Sequence, residues 1–139
     1  MGAPLGYRVD YRNGLHYDLL LFDTREDYCA FLEANKTPDK EEHVRRLGSV
    51  ALALLPQRLR KRLGTILILK GEAVSVFAHE CEHLMQFLIK RRDVTIKHKI
   101  TNELMEDLSK DEDEVRALVL GELIVAGLAQ LPKRSFRLA

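Results

Sequence analysis

Apolar positions change their rhythm several times along the chain, and each change marks a different element. "GYRVDYRNGLHYDLLLF", Gly6 to Phe22, reads as two strands around Asn13-Gly14, the strongest short hairpin signal. "DTREDYCAFLEAN" predicts a helix, with Thr24 as N-cap and Asp27 three residues on as its capping-box partner. Thr37-Pro38 predicts a second helix start, an N-cap followed by proline at the first helical position, running to about Arg46 before Gly48. From Ser49 to Leu63 the pattern is ambiguous: "SVALALL" suits a helix or a buried strand, and Pro56 interrupts it. Ile66 to Leu69, bounded by Gly64 and Gly71, is a short buried strand. A long helix follows from about Glu72 to Lys90, then a polar loop. A last helix, "DEDEVRALVLGELIVAGLAQL", is ended by Pro132. With no repeat, low-complexity tract or linker, the expectation is a single α+β domain over residues 1–139. In it an N-terminal β-hairpin and a short edge strand, Ile66–Leu69, pack on helices.

Composition narrows the function classes. A chain of 139 residues with 46% hydrophobic and 31% charged content is one ordinary globular domain with a real core. A net charge of +1 gives no global electrostatic case for nucleic acid or an anionic membrane. The basic stretches "QRLRKRLG", Gln57 to Gly64, and "KRR", Lys90 to Arg92, lack interleaved aromatics and read as solvated faces. No apolar run reaches the roughly 18 residues of a membrane span. The first residues lack the regions of a signal peptide. "MGAPLG" has Gly6 where myristoylation wants Ser or Thr. Cys29 and Cys81 form no disulfide framework and point to a reducing compartment, the cytoplasm of a cell or of an infected host.

The long helix carries the chemistry. His79-Glu80-Cys81-Glu82-His83 fits H-E-x-x-H, the helical zinc-binding pattern of metallopeptidases. Residues four apart share a helix face, so both imidazoles fall within about 40° of each other and can meet one ion. Val74, Phe77, Cys81, Leu84, Met85 and Leu88 gather on the opposite side, which makes Cys81 a core residue rather than a ligand. Glu80 stands at the edge of the histidine face, with Gln86 between the turns. The plain alternative is two surface histidines on an amphipathic helix. The glutamate after the first histidine and the apolar strand before the helix, a cleft edge to which a peptide can add, favour a metal site.

Catalytic zinc takes three protein ligands and leaves a fourth position for water. His16 lies in the hairpin and His43 in a charged helix, where both read as exposed polar residues; nothing fixes His98, in "KHK", near the site. In the last helix, Glu114 heads a stripe of Leu118, Gly121, Val125 and Leu128. A carboxylate on an apolar stripe needs a cation, a hydrogen-bond network or a metal. Gly121 on the same stripe allows close approach to the histidine helix. Glu114 also suits a first-turn acid at a helix N-terminus, like Glu112 and Asp113. Glu122 competes as third ligand, but lies more laterally and suits a basic partner.

"FAHECEHLMQFL" followed about thirty residues later by "DEDEVRALVLGELIVAGL" resembles the small HExxH metallopeptidases of bacteriophages and prophages. The likeness covers about Gly64 to Leu131. It aligns Glu114 with that family's glutamate, Ala117 with its small residue and Gly121 with its glycine; Leu118 stands where an aromatic is frequent. The resemblance implies a zincin-like, gluzincin-type site with Zn²⁺ on His79, His83 and Glu114, acting on a protein or peptide. Glu80 is then the general base for an attacking water. A second oxyanion donor is usual at such a site, and His98, Lys97 and Lys99 are the candidates, although their segment reads first as a solvated loop. Glu82 is either an acceptor behind a ligand histidine or an ordinary surface acid. The other function class is a non-catalytic phage structural, assembly or interaction protein with a structural or vestigial metal. The sequence leaves the oligomeric state open.

Overall fold

The structure, a computed structural model, describes residues 3–57, 60–90 and 112–138, without the side chains of Asn13, Lys90 and 112–114. Strands β1 (Leu5–Asp10) and β2 (His16–Phe22) form the expected antiparallel hairpin, with Val9 opposite Tyr17. Its loop is longer than a two-residue turn. A single 3-10 turn over Arg12–Gly14 closes it, with Gly14 at φ 75°. Helix α1 (Arg25–Ala34) starts where its cap predicts, the Asp27 amide donating to Thr24 Oγ1 at 3.1 Å. Helix α2 (Lys40–Leu47) starts two residues later than the proline signal indicates. Asp39, not Thr37, accepts from the Glu42 amide, and two acids in the first turn favour that start.

The ambiguous stretch resolves into β3 (Ala51–Leu54), and β4 spans Arg62–Leu69. Strand order is β1-β2-β4-β3, with β2 and β4 parallel and the outer pairs antiparallel, so the sheet is mixed. This corrects the edge-strand expectation: Ile66–Leu69 lies inside the sheet, and the edge on that side is β3. The reason is burial on both faces. Ile66 and Ile68 pack with Tyr17, Leu19 and Leu21 under α3 (Val74–Lys90) and α4 (Glu112–Gln130), while Leu67 and Leu69 pack with Phe22, Tyr28 and Leu32 of the α1 layer. An uninterrupted apolar run is what a doubly covered strand requires.

Two features fix α3 against its surroundings. A Cβ on Gly127 would collide with the Phe77 ring and the Tyr17 hydroxyl, so α4 crosses α3 in close contact there. Tyr17 donates across the same junction to the Leu123 carbonyl at 2.8 Å. Gly127→Ala is therefore expected to destabilise the fold by about 1–3 kcal/mol despite alanine's better helix propensity. The measurement is a lower denaturant midpoint at unchanged slope.

Beyond Pro132 the chain turns back and docks on the start of α3. The Arg137 carbonyl accepts from the Val74 amide at 2.6 Å, satisfying one orphan donor of the helix, and the Arg137 amide donates to the Glu72 carbonyl at 2.8 Å. Phe136 stacks on Phe77 at 4.7 Å between ring centroids. Among the described residues no helix is long and apolar enough to cross a membrane.

Candidate metal site

Helix α3 buries the side that its periodicity predicts. Phe77, Cys81, Leu84 and Leu88 are fully buried and Met85 nearly so, while His79 and His83 are exposed. The two imidazole centroids are 4.9 Å apart with the rings perpendicular, so the pair shares one patch of surface. Cys81 lies in the core, with no exposed surface, and burial pushes its thiol up to about 12.

Glu80 takes the third side of the helix, between core and histidine face, and is only 6% exposed. Among the described residues no side chain hydrogen-bonds to its carboxylate. Burial raises its pKa, and the neighbouring His79 and His83 pull it back down. Without metal, this carboxylate therefore disfavours folding as pH rises. The folded-state pKa lies above the unfolded value, so the penalty is absent below about the ordinary 4.5 and sets in as pH climbs through the shifted range. In chelated protein, Glu80→Gln is expected to be more stable than wild type at neutral pH, with the difference vanishing in acid. Denaturant melts across that range check it.

A cleft of about 490 Å³ opens beside His79 and Glu80. Ser75 and Val76 of α3 form one wall, and Gly48, Ser49, Val50 and Ala51, entering β3, form the other. The second wall is anchored from α1. Ser49 Oγ donates to the Arg46 carbonyl at 2.6 Å and so accepts from Tyr28 at 2.7 Å. The Arg25 guanidinium reaches the Leu47 and Ser49 carbonyls at 3.4 and 3.3 Å. Sequence reasoning missed this wall. The available signal was the shortness of "VALAL", which favours a strand over a helix once Pro56 stops it.

The remaining candidates separate. Glu122 is committed elsewhere: its carboxylate accepts from Tyr11 at 2.8 Å and Arg12 at 2.6 Å, the basic partnership the sequence suggested for it. Glu82 accepts from Gln86 at 3.2 Å. His43 is not the exposed residue expected. Its side chain is 14% exposed, its Nε2 meets Glu33 at 2.9 Å, and its Nδ1, like that of His16, is buried without a hydrogen-bond partner among the described residues. Lys97, His98, Lys99, Arg91 and Arg92 lie outside the described residues, as does the Glu114 side chain.

The stripe used to argue for Glu114 is corrected. Helix α4 buries Val115, Val119, Leu123 and Gly127, whereas Gly121 is exposed, Val125 is 64% exposed and Leu128 45%. Apolarity alone did not reveal which of two apolar faces packs, and the face carrying Tyr17's acceptor and the Phe77 crossing won. Among the described residues no group of three His, Cys, Asp or Glu gathers; two donors, His79 and His83, stand together, and His79 lines the cleft. Comparison with protein-family models, curated proteins and solved structures finds no match to the chain.

Proposed function

We propose that this chain is a zinc-dependent metallopeptidase of zincin-like architecture that hydrolyses an extended peptide. One observation carries the reading: two imidazoles 4.9 Å apart on one helix face, a buried carboxylate beside them, and an open cleft at a sheet edge. Surface histidines on a merely amphipathic helix need neither the buried glutamate nor the cleft.

His79 and His83 would hold zinc through ring nitrogens, and Glu114 is the third ligand that the resemblance implies. When bound, zinc supplies an acidified water and polarises the scissile carbonyl. Glu80 removes the proton of the attacking water and returns it to the leaving amine. Its burial suits this work, because a desolvated carboxylate is a stronger base than a solvated one.

Substrate orientation follows from β3. The Leu69 amide donates to the Val50 carbonyl at 3.1 Å, so by antiparallel alternation Ala51 and Ala53 turn their backbone groups to the open edge. A peptide pairing there as an added strand runs along the cleft past Glu80 and the histidines. The small walls, Gly48, Ser49 and Ser75, accommodate its side chains. The test is to expose a denatured proteome to wild type and to Glu80→Gln and compare the new N-termini; fragments common to both count against the proposal.

A further inference from the structure

We propose that Tyr28 is a positioning residue of the cleft beside Glu80: through Ser49 it sets the wall along which a peptide pairs. The inference rests on the reading of that cleft as a peptide site. The two walls have separate supports. Ser75 and Val76 belong to α3, which Phe77, Cys81 and Leu84 seat in one core cluster. Ser49 belongs to the opposite wall, and its support comes from α1, in the second cluster on the other face of the sheet. Tyr28 is fully buried and meets Ser49 Oγ at 2.7 Å. The Arg25 contacts to the same stretch are longer, 3.3 and 3.4 Å, and come from an exposed side chain. The tyrosine is the stronger hold.

Every polar group of Ser49 is engaged within the chain. Its amide donates to the Arg46 carbonyl at 3.1 Å, and its hydroxyl donates to the same carbonyl at 2.6 Å while accepting from Tyr28. Its own carbonyl accepts from Arg25. Ser49 is therefore a fixed post and not a ligand for substrate. The chain then enters the sheet, the Val50 carbonyl accepting from the Leu69 amide, and Ala51 follows with its backbone groups at the open edge. Holding Ser49 thus sets where the pairing edge lies relative to Glu80. Packing does not explain the tyrosine hydroxyl. The Tyr28 ring lies edge-on to Phe22 at 5.4 Å among apolar side chains, a place phenylalanine would fill. Burial pushes the phenol's pKa up, the Ser49 bond opposes the rise and the Glu80 carboxylate adds to it, so hydroxyl and carboxylate lie within electrostatic reach.

The test compares peptide affinity with stability in the full chain, in a Glu80→Gln background that leaves the probe uncut. The probe is a fluorescein-labelled pool of short peptides in which threonine alternates with mixed residues, read by anisotropy. Tyr28→Phe and Ser49→Ala should each weaken binding by about three- to tenfold. Their stabilities should differ. Tyr28→Phe leaves the Ser49 hydroxyl its bond to Arg46, whereas Ser49→Ala strands a buried phenol. Adding Tyr28→Phe to Ser49→Ala removes that stranded donor, so the double variant should melt higher than Ser49→Ala alone yet bind no better. A merely structural tyrosine predicts that affinity recovers with stability, and that recovery would overturn the proposal. Tyr28→Phe binding the probe like its parent would also overturn it, while leaving the peptide cleft standing. No binding by the parent removes both the cleft as a peptide site and this role for Tyr28. If the affinities fall as expected but the chain with Glu80 intact cuts nothing, the peptidase reading fails and the positioning role stands.

Discussion

Glu80→Gln is expected to bind zinc and fold like wild type while losing peptide hydrolysis by about 10²–10⁴-fold or more. The amide keeps the shape and reach of the carboxylate but cannot accept a proton from water. Burial makes the substitution mild for the fold, because glutamine removes a charge from a site that is 6% exposed. Two measurements on one preparation separate the outcomes: zinc per chain, and the rate at which new N-termini appear. If wild type and variant release the same fragments at the same rate, the cleavage belongs elsewhere. If wild type holds zinc and cuts nothing, the non-catalytic structural or assembly role replaces the enzyme.

The parts legible in the sequence are those set by local rules. Thr24 caps α1, Asn13-Gly14 marks the hairpin, and four-residue spacing sets His79 beside His83 with Cys81 turned to the core. What the sequence hid depends on choices between equally apolar options. Ile66–Leu69 has the composition of a buried strand, but only the two helix layers determine that it lies inside the sheet and leaves β3 at the edge. Helix α4 carries two apolar faces, and the pattern alone does not say that Val115, Val119 and Leu123 are the buried one. The returning tail is similar. "SFRL" has no helix or strand signal, yet Phe136 and the Arg137 backbone complete the start of α3 through contacts some sixty residues away in sequence.

Zinc analysis of protein purified without added metal or a histidine tag is expected to give one ion per chain, with His79→Ala and His83→Ala each losing it. A ligand that binds only the folded chain, present at about a thousand times its dissociation constant, stabilises by about 4 kcal/mol. Chelation of wild type should therefore lower the melting temperature by on the order of 10 °C. The histidine variants should not respond to chelator. The third ligand is decided by two glutamates on α4. With its stripe turned outward, Glu114 now rests on the resemblance alone, and Glu114→Ala should match the chelated state and ignore further chelator. Glu122→Ala should behave differently, because its carboxylate is bonded to Tyr11 and Arg12 rather than to an ion. Removing it strands those two donors and costs about 1–2 kcal/mol, but the chelator response should persist. A response abolished in Glu122→Ala and intact in Glu114→Ala reverses the assignment, and stoichiometric zinc that survives both histidine variants removes the metal site from α3.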